Sequence, residues 1–283
     1  MIREAGPDDR AAVEALLTTR IDAAMFPLTN LRAHGLGRGG FASDHPHATR
    51  YWLVADHGLV ALTQEGMLMA LLHGTPDLAP LRALLQGLVV SGAVGPAVSI
   101  RPVLAALGLA RLPATTDRDE PGFTLDLDTL ILPDLPGTSL RPLTSSDLSR
   151  VTAWRETYIG EVMGVTGPPA RAKAAADIDS YLTRDSHRIL LHDDQPVALT
   201  GFNAVLPEIL QVGGVYTPAA LRGRGYARRA VALHLAEARA TGIRRAVLFA
   251  ASDAAARAYL AIGFQPAETF TLFLLATPAR IAA

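Results

Sequence analysis

Residues 211–231 read Gln-Val-Gly-Gly-Val-Tyr-Thr-Pro-Ala-Ala-Leu-Arg-Gly-Arg-Gly-Tyr-Ala-Arg-Arg-Ala-Val: a strand-like run, a glycine-rich turn and the start of a helix. The first turn of a helix carries backbone N–H groups without intrahelical partners and the positive end of the dipole, so it holds a phosphate without any special side chain. Gly223 and Gly225 let the backbone come close to such a group. Cations are disfavoured there by about 0.3–1 kcal/mol each when exposed. Yet Arg222, Arg224, Arg228 and Arg229 crowd the helix start. A bound polyanion resolves that conflict; without one, the segment is a glycine-rich turn with solvated arginines.

Two other patterns invite chemistry and are set aside. Gly35-Leu-Gly-Arg-Gly-Gly40 has the letters of a dinucleotide fingerprint, but a helix-like run precedes it where that fold needs a strand, so it reads as a loop. His45 and His47 flank Pro46 without cysteines or carboxylates at ligand spacing, so no metal is expected.

The helix that would present the phosphate site runs from about residue 225 to 240 and stops at Gly242. Its apolar positions Ala227, Ala230, Val231, Leu235 and Ala238 fall at helical spacing and would pack on a sheet. Strands are expected at residues 188–192, 197–205 and 209–217 before it, and a strand, a shorter helix and a final strand after it. The first half follows the same order: helices at 8–20 and 26–34, strands at 51–55, 59–63 and 67–72 joined by tight turns at His57-Gly58 and Glu65-Gly66, helices at 78–88 and 103–109, and a strand at 123–127. The two halves also begin alike, Met1-Ile-Arg-Glu-Ala-Gly-Pro-Asp-Asp against Ser139-Leu-Arg-Pro-Leu-Thr-Ser-Ser-Asp. Pro133, Pro136 and Gly137 mark a break, which gives domains at 1–132 and 139–283 and a linker at 133–138. Two α+β domains of one kind fit best.

Arg222-Gly-Arg-Gly-Tyr-Ala227 fits an R/Q-x-x-G-x-G/A signature, and residues 246–264 end on Tyr259-x-x-x-Gly263-Phe264 after a strand and a helix start with Ala255. With these blocks the C-terminal half resembles the GNAT superfamily of N-acetyltransferases. The resemblance implies a three-layer α/β/α fold with mixed, mostly antiparallel sheets, and acetyl-CoA as co-substrate with no metal. It implies that the amides of Gly223, Arg224, Gly225, Tyr226 and Ala227, with Arg222 and Arg228, bind the coenzyme A pyrophosphate. The backbone at Val215, Tyr216 and Thr217 would pair with pantetheine, and Gly213-Gly214 would suit a splayed or bulged strand. Ser252 stands where asparagine is usual; it can cap its helix, with a weaker contact to pantetheine. Tyr259 would face the cofactor sulfur and protonate the departing thiolate, or serve as an aromatic packing residue.

Acyl transfer to an amine needs a neutral nucleophile, a polarised thioester carbonyl and a protonated leaving thiol. A backbone N–H at Val215 or Tyr216 can hold the carbonyl. Glu208 falls one residue out of register with the glutamate the family often uses as base, and Ile209 takes that place. Period-two alternation sets Gln211 on the face of Ile209, where it can touch the acceptor but cannot take its proton, which leaves a water relay open. Glu161 with Tyr158 is the preferred acceptor-side pair, at i and i+3 of one helix face, against a solvated face as the alternative.

The acceptor expected is a primary amine of a small molecule, amino acid or peptide, attacking directly. The missing strand glutamate and Ser252 keep open a non-catalytic acyl-CoA sensor or an interaction module. The first half has no such signature where its helix near Leu78 begins, and Asp77 would repel pyrophosphate. It reads as a degenerate GNAT-like copy that braces or walls the acceptor cleft.

Composition bounds the class of protein and excludes some partners. With 49% hydrophobic and 19% charged residues in 283 the chain folds, and it is long enough for two domains. A formal charge of -1 argues against nucleic acid or an anionic membrane as partner. No cysteine means no disulfide or thiolate site and suits the cytoplasm. The N-terminal residues carry early acids and do not read as a signal peptide. Lys173 is the only lysine, so nearly every cation is a planar guanidinium suited to oxyanions. A homodimer stays open.

Overall fold

The computed structural model describes residues 1–282. In chain order the elements are β1 (Ile2–Glu4), α1 (Arg10–Thr19), α2 (Met25–His34), β2 (Thr49–Val54), β3 (Gly58–Thr63), β4 (Met67–Leu72), α3 (Leu81–Leu84), β5 (Val89–Pro96), α4 (Ala97–Ala106), β6 (Ala114–Glu120) and β7 (Gly122–Asp126). There follow β8 (Thr138–Pro142), α5 (Leu148–Met163), α6 (Pro168–Thr183), β9 (His187–His192), β10 (Gln195–Val205), β11 (Ile209–Tyr216), α7 (Tyr226–Ala240), β12 (Arg245–Phe249), α8 (Asp253–Leu260), β13 (Gln265–Pro266) and β14 (Phe270–Arg280).

The chain forms two α+β units, each on a seven-stranded sheet. The orders are β1-β2-β3-β4-β5-β14-β6 and β13-β7-β12-β11-β10-β9-β8. Each sheet has a single parallel pair, β4 with β5 and β11 with β12, and the other neighbours are antiparallel. The repeat read from the opening residues is physical. Arg3 and Asp9 pair at 2.6 Å in the first unit, and Arg141 and Asp147 at 2.7 Å in the second. In both, the same aspartate accepts from a backbone amide three residues earlier, Gly6 or Thr144, and so closes the start of the next helix. Each carboxyl is lowered to about 2, first by its arginine's hydrogen bonds.

The units do not divide at 133–138. One comprises residues 1–120 together with the segment from Glu268 onward, the other Pro121–Ala267. The strand expected to finish the first half, β7, pairs with β12 from Arg245↔Asp126 to Phe249↔Gly122, inside the second sheet. In return β14 lies between β5 and β6 of the first. The two repeats thus exchange a strand. Backbone ladders decide membership of a sheet, and no local composition marks which ladder a strand joins. The proline-rich segment belongs to the second unit, where Arg229 of α7 donates to Pro133 O at 2.6 Å and to Thr138 Oγ1 at 3.1 Å.

Two helices also differ from expectation. The helix at 78–88 shrinks to α3, which starts only after Pro80, and the one at 103–109 is displaced to α4 with Pro102 inside it. Strands β5 and β6 form where the sequence pattern places none. The segment at Gly35–Gly40 is a loop.

In the second unit Phe123, Leu125, Leu210, Val212, Val231, Leu235, Leu248 and Phe264 fill one face of the sheet under α7 and α8. Val151, Ile178, Tyr181, Ile189, Leu199 and Tyr216 fill the other under α5 and α6. That is a three-layer arrangement, with α7 held by seven buried residues from Tyr226 to Ala238. Among the described residues no helix is long and apolar enough to cross a membrane, and no group of three or more His, Cys, Asp or Glu is placed to hold a metal.

Candidate functional site

The parallel ladder of β11 and β12 runs through Ile209↔Arg245, Leu210↔Ala246 and Gln211↔Val247 and ends there. Beyond it β11 continues on the β10 side only, to Leu199↔Tyr216. Between Gly201↔Gly213 and Leu199↔Tyr216 β11 uses one more residue than β10, which is a β-bulge. Gly214 occupies the bulge with φ of 64°. The expectation of a splayed, bulged strand at Gly213-Gly214 is met by this geometry. A Cβ on Gly213 would come within 2.0 Å of Asn203 Nδ2, so both glycines are required sterically.

β11 gives way to a short turn and then to α7, with Gly225 at its N-cap in the left-handed region (φ 82°) and Gly223 likewise (φ 79°). The first amide to engage the helix ladder is Arg229, which donates to Gly225 O. Among the described residues the six preceding amides, Gly223 to Arg228, have no hydrogen-bond partner. Six successive N–H groups, running from the turn through the first three residues of a fifteen-residue helix, form a donor array at the positive end of its dipole. The helix start is pinned from behind, because the buried Tyr226 ring sends its hydroxyl to His192 Nδ1 at 3.0 Å.

The four arginines divide in a way the sequence did not reveal. Arg229 is committed to the 133–138 segment. Arg222 donates from Nε to Thr217 O at 2.9 Å, lies over the Tyr216 ring and pairs with Glu161 at 2.7 Å. Arg224 makes one contact of 3.4 Å to Ala220 O, and Arg228 lies exposed beside Gly225. Arg224 and Arg228 are therefore the cations available to an anion at the amide array.

The expected acceptor-side pair divides. Glu161 and Tyr158 share α5 but turn to different partners: Tyr158 packs on the buried cluster with the Arg155 guanidinium 4.7 Å over its ring, while Glu161 is drawn to Arg222. A carboxylate reaches the nearest guanidinium, and that partner lies 61 residues away. Glu208 sits in the turn before β11 and its carbonyl accepts from Arg244 N. Gln211 is buried, its Nε2 donates to Val212 O at 2.8 Å, and its Oε1 has no partner among the described residues. Leu210 and Val212 face α7 and α8, so alternation sends Gln211 to the α5 and α6 face.

Ser252 caps α8, accepting from Ala255 N at 3.2 Å. Tyr259, on the same helix, is 7% exposed and packs with its ring 5.9 Å from that of Phe264, in the cluster that also takes Val215. Thr217 is buried with its Oγ1 unpaired among the described residues. Sequence reasoning missed His187 and Asn203, whose side chains fill the space left by the glycines of β10 and β11. Paired glycines in successive strands were the signal that a side chain crosses there.

Residues 152–264 match the model of the "Acetyltransferase (GNAT) family". No protein of curated function matches the chain significantly. Among solved structures, it resembles a Drosophila protein (14% identity, 97% of this chain and 98% of that one, TM-score 0.62). It is also similar to a GCN5-related N-acetyltransferase from Sphaerobacter thermophilus (15%, 100% and 96%, TM-score 0.55). A third is described as a tandem GNAT protein from the clavulanic acid biosynthesis pathway (16%, 100% and 99%, TM-score 0.54). At these identities the likeness is one of fold.

Proposed function

With residues 152–264 forming a GNAT acetyltransferase domain, we propose that the second unit transfers an acetyl group from acetyl-CoA to a primary amine of a small molecule, amino acid or peptide, by direct attack. The observation that carries this reading is the run of six amides without a partner among the described residues, Gly223 to Arg228, at the start of the helix that follows β11, the strand that leaves β12 after Gln211. A diphosphate fits that array because it brings the acceptor oxygens and negative charge the helix start lacks. Arg224 and Arg228 add charge, while Arg222 braces the turn from behind.

Acetyl-CoA supplies an acyl group on a good leaving thiol. The chain does the rest. The β11 backbone at Val215, Tyr216 and Thr217 orients the pantetheine arm as an added strand, and an amide at Val215 or Tyr216 polarises the acyl carbonyl. Gln211 Oε1, buried and without a partner among the described residues, accepts a hydrogen bond from the incoming amine and holds it on the α5 and α6 face. Tyr259 protonates the departing thiolate to the free thiol. The amine's own proton passes to water, since Glu161 is paired with Arg222.

The test combines titration calorimetry with acetyl-CoA and a thiol-release assay over a panel of primary amines. Binding together with release for at least one amine is expected, and Tyr259→Phe should lower kcat by about 10²-fold at unchanged acetyl-CoA affinity. No binding overturns the reading. The pairing of Glu161 with Arg222 favours one second reading, an acyl-CoA sensor; tight binding without release from any amine would establish that instead.

A further inference from the structure

His187 opens β9, opposite Gly201 of β10, and its side chain is fully buried. The imidazole lies flat on Tyr181 of α6, with ring centroids 3.4 Å apart and planes at 11°. Its Nδ1 is 3.0 Å from Ser186 Oγ, and its Nε2 has no partner among the described residues.

Two glycines leave room for this ring. A Cβ on Gly201 would fall 2.1 Å from Nε2 and from Cδ2, and one on Gly214 would fall 2.7 Å from Nε2. Gly214 belongs to β11, which is not a neighbour of β9; the ring therefore crosses the full width of β10 and ends against the bulge. Side chains on a pleated sheet ordinarily stand over their own strand and touch adjacent ones, so a crossing of this kind needs a lane emptied of Cβ atoms.

The crossing ring brings no charge with it. Burial holds the imidazole far below its usual value, and the cations around it, Arg155 on α5, Arg184 after α6 and Arg188 on β9, with His234 on α7, press in the same direction. A neutral ring under the bulge leaves the field of the β11 amides undisturbed.

From this juxtaposition we infer that His187 is a positioning residue for acyl transfer: its imidazole crosses β10 and holds the Gly214 bulge that sets the direction of the Val215 and Tyr216 amides. The inference rests on the acyl-transfer reading given above for those amides. Because the diphosphate array belongs to the start of α7, it divides the work between a ring that acts on turnover and a loop that acts on binding.

The test is His187→Ala and His187→Phe, compared with the parent for coenzyme A affinity by calorimetry and for kcat across pH 5.5–9, together with a stability cycle on Gly201. Both variants should lower kcat at saturating acetyl-CoA by about tenfold or more, since alanine leaves the bulge unsupported and the larger phenyl ring pushes on it. Coenzyme A affinity should change less than about threefold, and the shape of the pH profile should not change. Gly201→Ala alone should strongly lower the melting temperature but cost little on top of His187→Ala, where the lane is empty. Unchanged kcat in both variants overturns the inference. So does a fall in kcat matched by an equal fall in affinity, which marks general loss of structure, or the disappearance of an ionisation from the profile, which marks a proton carrier. If the parent binds no coenzyme A the acyl-transfer reading itself fails, whereas additive Gly201 and His187 effects on melting refute the lane alone.

Discussion

In the first unit β4 leads through Pro76, Asp77 and Pro80 into α3, a helix of four residues; in the second β11 leads through Gly223 and Gly225 into α7, a helix of fifteen. Both strands are the antiparallel side of the same junction, each followed by the one parallel neighbour of its sheet. The materials of the turn decide what it can hold. Prolines have no N–H to offer, and Asp77 Oδ1 already accepts from Ala79 N at 3.0 Å. Leu81 and Leu84 donate to Leu78 and Pro80 carbonyls, and of the helix's own amides only Arg82 and Ala83 have no partner among the described residues. Glycines in the left-handed region turn the second chain without using its amides, and six have no partner among the described residues. Two copies of one topology thus differ in how long a run of backbone donors they leave open to an anion.

The contrast is broken most sharply at Gly225. A glutamate there puts a side chain on a φ of 82° and a negative charge at the amide array, and should weaken coenzyme A binding by about 100-fold or more in calorimetry. Binding that survives would move the anion site away from α7.

A smaller effect tests the feature the two units share. Asp147 is 6% exposed and Asp9 more open, although both bond an arginine and a backbone amide. Asp147→Asn should cost about 1.5–3 kcal/mol in urea unfolding, and Asp9→Asn distinctly less. The pH dependence follows from the lowered carboxyl of Asp147. Its folded value of about 2 lies below the ordinary 3.8, so the pair stabilises fully above pH 4–5 and is lost as pH falls through about 2. Melting temperature should therefore drop between pH 4 and pH 2 in the parent, and drop less in Asp147→Asn.

The smallest expected effect is none. Asp77→Asn removes the charge from the first turn but restores neither glycine nor amide, so coenzyme A stoichiometry and affinity should stay as in the parent. A second binding event in that variant would mean that charge alone had silenced the first unit.

Much of the site could be read before any coordinates. The glycines of residues 222–227, the helix that follows and the Ser252 cap depend on neighbours within four residues, and each lies where the pattern put it. The arginines were less legible. Four look alike in sequence, yet Arg229 and Arg222 are taken by Pro133 O and Glu161, and only folding reveals which guanidinium finds a partner. The same holds for Glu161 of α5, whose carboxylate pairs with Arg222 rather than with any neighbour on its own helix.

What the chain determined by itself is the local chemistry: where backbone can turn left-handed, where a helix begins with open donors, where a carboxylate can close its first turn. These follow from sterics and hydrogen bonds a few residues wide. Tertiary structure decided the rest, because those contacts join residues far apart in sequence. It exchanged β7 and β14 between the two sheets, matched Arg222 to Glu161, and carried His187 across β10 to Gly214. Ladder pairing and side-chain packing are settled by the whole sheet at once, and no window of sequence contains them.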